Sequence, residues 1–283
     1  MSQFVLSAFA DEIEMDLNIQ MDVLEECGIN HIEMRGVNGK NLVEHSLEEV
    51  KKIKEELDKR NFKISAVGSP IGKIKITDDF EPDLELFKHT LEIAKILETK
   101  YIRMFSFFIP EGEDPAKYRD EVMKRWRKYL EVSEAYDVIL LHENEKDIYG
   151  DTPERCLDIY NTMNSDRLKL IFDPANFIQC DVKTYPEAFE MLKDHVVYFH
   201  VKDALSENHK VVPAGYGDGH VEEILKEEKK SGFEGFLSLE PHLGNFKGFA
   251  ELEKSDCNDE VEDNGTAKFK IACNALKDIL NKL

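Results

Sequence analysis

Eight short apolar segments, each followed by a longer amphipathic stretch, constrain this chain more than any other feature. The segments are Phe4–Phe9, His31–Met34, Lys63–Val67, Tyr101–Phe105, Val138–Leu141, Leu168–Phe172, Val196–His200 and Phe236–Leu239. Several are almost continuously apolar and rich in β-branched or aromatic residues, as strands covered on both faces must be. Between them, apolar residues recur at helical spacing. Leu17, Met21, Leu24 and Cys27 form one stripe, and Leu47, Val50, Ile53 and Leu57 a second. Leu84, Phe87, Leu91 and Ala94 form a third, and Tyr118, Val122, Trp126, Tyr129 and Leu130 a fourth. Thr152-Pro153-Glu154 reads as a helix start, with Pro at the first helical position. Further helices are expected over 184–193, 219–230 and 266–282.

The 283 residues divided among eight repeats give about 35 each, the size of a strand–helix unit. Strict alternation implies a parallel sheet, because parallel neighbours need crossover connections. Eight units predict a closed (β/α)8 barrel of eight parallel strands, an α/β fold occupying 1–283 as a single domain. The competing architecture is an open doubly wound sheet, which a glycine-rich turn after the first strand would favour. Ala8-Phe9-Ala10-Asp11-Glu12 has no glycine. The stretch Glu251–Gly265 is polar and acidic and reads as a surface loop before the last helix.

Charge excludes some partners. Lys+Arg 37 against Asp+Glu 58 gives −21, so a polyanion or an anionic membrane surface is repelled over most of the molecule. Neither nucleic acid nor membrane is expected as a partner. The five cysteines, Cys27, Cys156, Cys180, Cys257 and Cys273, are odd in number and form no CxxC, which indicates reduced thiols and a cytoplasmic setting. The first residues, MSQFVLSAFADEIEMD, lack a basic start and meet Asp11 and Glu12 too early for a signal peptide.

In such a barrel the carboxyl ends of the strands converge on the active site. Strand five ends in Leu141-His142-Glu143-Asn144, strand six in Phe172-Asp173-Pro174-Ala175-Asn176, strand seven in Phe199-His200-Val201-Lys202-Asp203, and strand eight in Leu239-Glu240-Pro241-His242. Taken singly, a glutamate there is a loop residue, a histidine a packing residue and an Asp-Pro a turn. Together, Glu143, Asp173, His200 and Glu240 place three carboxylates and an imidazole at four consecutive strand ends. Crowded in a barrel mouth they would repel and lose hydration unless a cation sat among them. One divalent metal ion fits, and Mn2+, Mg2+, Co2+, Fe2+ and Zn2+ all suit this donor set.

The runs LLHENE, FDPANF, FHVKD and SLEPH, in this order, resemble the sugar phosphate isomerase/epimerase families of the xylose-isomerase-like TIM-barrel superfamily. The likeness extends to Gly215-Tyr216-Gly217-Asp218-Gly219 after strand seven. That superfamily also contains endonuclease IV, hydroxypyruvate isomerase, inosose dehydratase and the D-tagatose 3-epimerase group. The resemblance implies that Glu143, Asp173, His200 and Glu240 bind one divalent ion, and that Glu143 and Glu240 form the acid/base pair. Barrels of these families are often dimers or tetramers, which implies a homo-oligomer.

Two departures matter. Where the tagatose-type epimerases carry a histidine three residues after the strand-six aspartate, this chain has Asn176, whose amide can hydrogen-bond a substrate oxygen but cannot act as an acid. The extra histidines of a trinuclear nuclease site are missing, since strand three ends in Ala66-Val67-Gly68 and strand four in Met104-Phe105-Ser106.

The chemistry implied is proton abstraction beside a sugar carbonyl through a metal-stabilised enediolate, with one glutamate removing the proton and the other supplying one. The substrate is a small ketose or sugar phosphate. An inosose-type dehydratase in the same fold and a non-catalytic sugar-binding barrel are the alternatives. Asp203 is expected to orient His200 from outside the ligand set. Lys202 pairs either with an anionic substrate group or with Asp203. Arg103 either binds phosphate or carboxylate at the mouth or satisfies Glu33. His242 is placed in the mouth loop against substrate, Phe107 and Phe108 either wall the pocket or pack, and His142, alternating with Glu143, points outward toward the helices.

Overall fold

Each barrel strand forms where the apolar runs predict one. A computed structural model describes residues 3–243 and 265–283. The strands are β1 (Gln3–Ala8), β2 (His31–Met34), β3 (Lys63–Val67), β4 (Tyr101–Met104), β5 (Ile139–Glu143), β6 (Leu168–Phe172), β7 (Val196–Val201) and β8 (Glu234–Leu239). All pair in parallel with their sequence neighbours, and β1 pairs with β8 from Gln3↔Glu234 to Ala8↔Leu239, which closes the barrel. The doubly wound alternative is thereby excluded. Strand five runs two residues further than the apolar stretch, so His142 and Glu143 lie within the sheet rather than beyond it.

The helices follow from their caps. Asp16 accepts from the amides of Asn18 and Ile19 at the head of α1 (Leu17–Glu26), which stops before Gly28 at φ +64. Ser46 and Glu49 form a capping box on α2 (Leu47–Lys59). Then come α3 (Glu81–Ile96), α4 (Arg119–Ser133) and α5 (Pro153–Met163). A short helix, α6 (Pro174–Gln179), follows β6 directly and was not anticipated. The expected helix over 184–193 is broken into a wide turn at Thr184–Ala188, α7 (Phe189–Leu192) and a 3-10 turn. The outer layer is completed by α8 (Val221–Ser231) and α9 (Gly265–Lys282). Of the acidic stretch expected to form a loop, 251–264 lies outside the described residues, as does Cys257, and Gly265 opens α9. Among the described residues, no helix is long and apolar enough to cross a membrane.

Strand alternation sorts side chains into two apolar regions. Outward-facing residues such as Leu140, Phe172 and Leu237 pack under the helices with Trp126, Phe87, Phe177 and Phe269. Each such fully buried large side chain contributes about 1.5–3 kcal/mol from lost apolar surface. Inward-facing Ala66, Leu141, Ile171 and Tyr198 fill the barrel with Tyr101 and Phe236 beside them. The Tyr198 hydroxyl is satisfied there by Ser65 Oγ at 2.9 Å, and Ser65 by Ser7 at 2.6 Å. This plug seals the middle of the barrel and leaves the strand ends as a floor on which polar groups stand.

Candidate active site

Two residues along each strand from an inward-facing core residue comes the next inward position. From Leu141 that step gives Glu143, from Ile171 Asp173, and from Tyr198 His200. Glu240 follows Ser238 in the same way. The four side chains are buried, and each offers a ligand atom within 4.8 Å of the others. The imidazole is their hub. His200 Nδ1 lies 2.9 Å from Glu143 Oε1, 3.3 Å from Glu240 Oε2 and 3.8 Å from Asp173 Oδ2.

The donor set fits a divalent ion. Glu143 Oε2 and Asp173 Oδ2 are buried without a well-aligned hydrogen bond, so both retain lone pairs directed into the cluster. The other imidazole nitrogen, Nε2, meets both oxygens of Glu33 at 3.2 and 3.3 Å. A proton held there leaves the Nδ1 lone pair for a cation. Burial opposes charge on His200, yet Glu143, Glu33 and Glu240 hold its pKa well above the ordinary value. Burial also opposes ionisation of Glu240, but Lys202, His242 and His200 keep its carboxyl well below the usual range.

Cations surround the cluster. Arg103, on β4, places Nη1 3.4 Å from Glu143 Oε2 and 3.8 Å from Glu240 Oε1. It therefore faces the mouth, where it pairs with Glu143 and Glu240. Arg35, just beyond β2, spans Asp11 Oδ2 at 2.8 Å and Glu240 Oε1 at 3.1 Å. The Phe9 ring lies between the two guanidinium groups, 4.6 Å from Arg35 and 5.0 Å from Arg103, with its edge or face also against His200 at 5.1 Å. Lys202 Nζ lies 2.9 Å from Asp173 Oδ2 and 3.4 Å from Glu240 Oε2. Lys73 rests over Phe105 at 4.3 Å and reaches Glu145 at 2.9 Å, joining the loops after β3 and β5.

Helix α6 explains the posture of Asp173. Its Oδ1 caps the helix by accepting from Asn176 N at 2.9 Å, while Oδ2 turns to the cluster. The Asn176 amide donates to Glu143 Oε1 at 3.2 Å and to the Asn144 carbonyl at 2.9 Å. His242 sits beside Glu240, with Nε2 3.2 Å from Oε1, and 3.5 Å from Glu12. Burial pushes Glu12 up to about 7, against the pull of His242 and Arg35.

One expectation changes, and two alternatives are decided. Asp203 does not orient His200. Its carboxylate accepts the amides of Ala204, Gly215, Gly217 and Gly219 at 2.8–3.1 Å and pins the loop after β7, and the outer partner of His200 is Glu33. Lys202 pairs with Asp173 and Glu240 rather than with Asp203. Phe107 lies in the outer core, stacked on Tyr129 and edge-on to Phe80, and Phe105 takes the mouth position instead. His142 does point outward, 5.7 Å from the Trp126 ring and 3.0 Å from Ser106 Oγ.

The sequence model of the xylose isomerase-like TIM barrel family matches residues 21–257. The probable L-ribulose-5-phosphate 3-epimerase UlaE of Mycoplasma pneumoniae is 24% identical over 157 residues, which make up 56% of this chain and 51% of that protein. The chain spans about half the length of the curated relatives it matches. A structure of L-ribulose 3-epimerase aligns with a TM-score of 0.75 at 15% identity, covering 100% of this chain and 97% of the other. The IOLI protein, solved with a zinc atom, aligns with a TM-score of 0.74 at 18% identity, covering 99% of each chain. At these identities the structural likeness shows the fold.

Proposed function

The chain belongs to the xylose isomerase-like TIM barrel family, and from that premise we propose that it is a divalent-metal-dependent isomerase or epimerase of a small ketose or sugar phosphate. One observation carries the reading: Glu143 and Glu240, from strands three apart, both reach the same imidazole nitrogen inside a four-residue donor set. The relative named as a ribulose phosphate epimerase supports the substrate class.

Glu143, Asp173, His200 and Glu240 would hold the ion. When bound, it would polarise the sugar carbonyl and spread the charge that builds as the adjacent proton leaves. Everything else falls to the chain's own groups. Glu143 and Glu240 approach from different sides of the mouth, so one takes the proton while the other supplies its own to the opposite face or to the neighbouring carbon. Arg103 pairs with Glu143 and Arg35 with Glu240, which restrains both carboxylates in their buried setting. Phe9 and Phe105 exclude water from the floor. Lys202, Arg103, Asn176 and His242 supply donors to substrate hydroxyl or phosphate oxygens.

The test is solvent exchange. Ketopentoses and ketohexoses, free and phosphorylated, are incubated in D2O with Mn2+-loaded protein and followed by NMR. Deuterium should enter beside the carbonyl with wild type and with neither Glu143→Gln nor Glu240→Gln, each falling by about 100-fold or more. A product one water lighter would assign the chain to the dehydratases. Equal exchange in all three proteins would end the acid/base assignment.

A further inference from the structure

Lys202 pairs with two members of the proposed ligand set, Asp173 and Glu240, from inside the barrel wall. It follows His200 by two residues, one past the end of β7, and is only 3% exposed. Its ammonium touches Asp173 Oδ2 at 2.9 Å and Glu240 Oε2 at 3.4 Å. Those are the oxygens that face His200 Nδ1 at 3.8 and 3.3 Å. A divalent ion on the same oxygens would sit about 2.1 Å from each. It would then lie within ~5 Å of the ammonium, the sum of that bond and the 2.9 Å contact. At that range and an effective dielectric of ~20, repulsion between a double and a single positive charge is worth several tenfold steps in affinity.

A third carboxylate is within electrostatic reach of the lysine. Glu145, on the loop after β5, is buried and already pairs with Lys73 at 2.9 Å. Lysine has a flexible four-carbon stem that can redirect its charge without moving the backbone.

We propose that Lys202 is a tethered counter-cation of the ligand set, which yields Asp173 and Glu240 to the incoming divalent ion and turns toward Glu145. Metal loading and the lysine's change of partner are then one event. This rests on the metal-dependent reading above. The rival arrangement keeps the ammonium on Asp173 beside the metal, as an outer donor that orients the carboxylate. The two differ in sign: a competitor weakens metal binding, whereas an orienting donor strengthens it.

The experiment is calorimetric titration of chelator-stripped full-length protein with Mn2+ alone, comparing wild type with Lys202→Met. Lys202→Gln keeps a polar head and serves if the Met variant does not fold. The expected result is Mn2+ binding about tenfold or more tighter in the variant. Without Mn2+ the variant should melt lower than wild type, because three buried carboxylates lose a counter-charge, and Mn2+ should raise its melting temperature by more. Binding by the variant alone would also support the proposal. Equal or weaker binding in the variant, with wild type still loading, overturns the proposal and leaves the metal reading in place. No binding by either protein overturns both.

Discussion

Replacing Asp203 separates two tasks performed by one carboxylate. Oδ1 accepts from the buried amides of Gly219 and Ala204 at 2.8 and 2.9 Å. Oδ2 accepts from Gly215 and Gly217 at 2.9 and 3.1 Å, where the loop is closer to solvent. Asp203→Asn keeps an oxygen for the buried pair and turns its NH2 group toward the other two, which water can reach. Burial already pushes the Asp203 carboxyl above its ordinary pKa despite these four donors, so removing the charge costs little in itself. The expected loss is about 1–2 kcal/mol. Asp203→Ala leaves two buried donors with nothing to meet, at about 1–3 kcal/mol each, and adds a cavity, for a total of ~3–6 kcal/mol. Urea unfolding followed by the fluorescence of the single tryptophan, Trp126, measures both. Chelator in every sample removes any contribution from metal binding. The reasoning fails if Asp203→Ala stays within about 1 kcal/mol of wild type, or if the asparagine variant is as unstable as the alanine one.

Three further outcomes are open to measurement. Glu33→Gln removes the anionic partner of His200 Nε2 and should weaken Mn2+ binding by about 10–100-fold in calorimetry; an unchanged constant would show that Glu33 does not tune the imidazole. Burial lowers His142 to about 3 from an ordinary 6.5, so below that ordinary value the unfolded chain takes up a proton that the native one refuses. Stability attributable to this group therefore falls as pH falls across that window, by roughly 2–3 kcal/mol over the first two units, and urea midpoints of His142→Gln should drop less on acidification than those of wild type. Gly72 has φ +85, and a Cβ there would run into the Phe105 carbonyl; Gly72→Ala should cost about 2–4 kcal/mol in the same unfolding assay, and a neutral result would mean the loop after β3 is not held as described.

The barrel was legible because continuous apolar runs such as LKLIF and VVYFH belong to strands buried on both sides, and because nothing glycine-rich followed the first one. The four strand-end residues were legible for a related reason, since each interrupts such a run at the point where the interior ends. Glu33 and Arg35 were not, although His31-Ile32-Glu33-Met34-Arg35 alternates polar with apolar. That alternation in a strand otherwise buried marks charges facing into the barrel, and it was the available signal. Their partners, His200 and Glu240, lie 167 and 205 positions away, so nothing local announces the pairing. Asp203 misled because proximity in sequence to His200 suggested contact, whereas odd and even positions on a strand face opposite ways. Helix α6 was missed for its brevity, even though Asp173-Pro174 has the form of a cap followed by a first-turn proline.

The closure between β1 and β8 sets the order in which the molecule is completed during synthesis. Glu143, Asp173 and His200 emerge from the ribosome before the strand that delivers Glu240, and that strand must find a partner made more than 200 positions earlier. A nascent chain paused after β7 would expose two open sheet edges, on β1 and β7, each able to recruit a stray strand. Its three early candidate donors would lack the fourth. The proposed activity would thus be withheld until the last stave is seated, and an ion that grips only the complete set would favour the sealed cylinder over the gapped one.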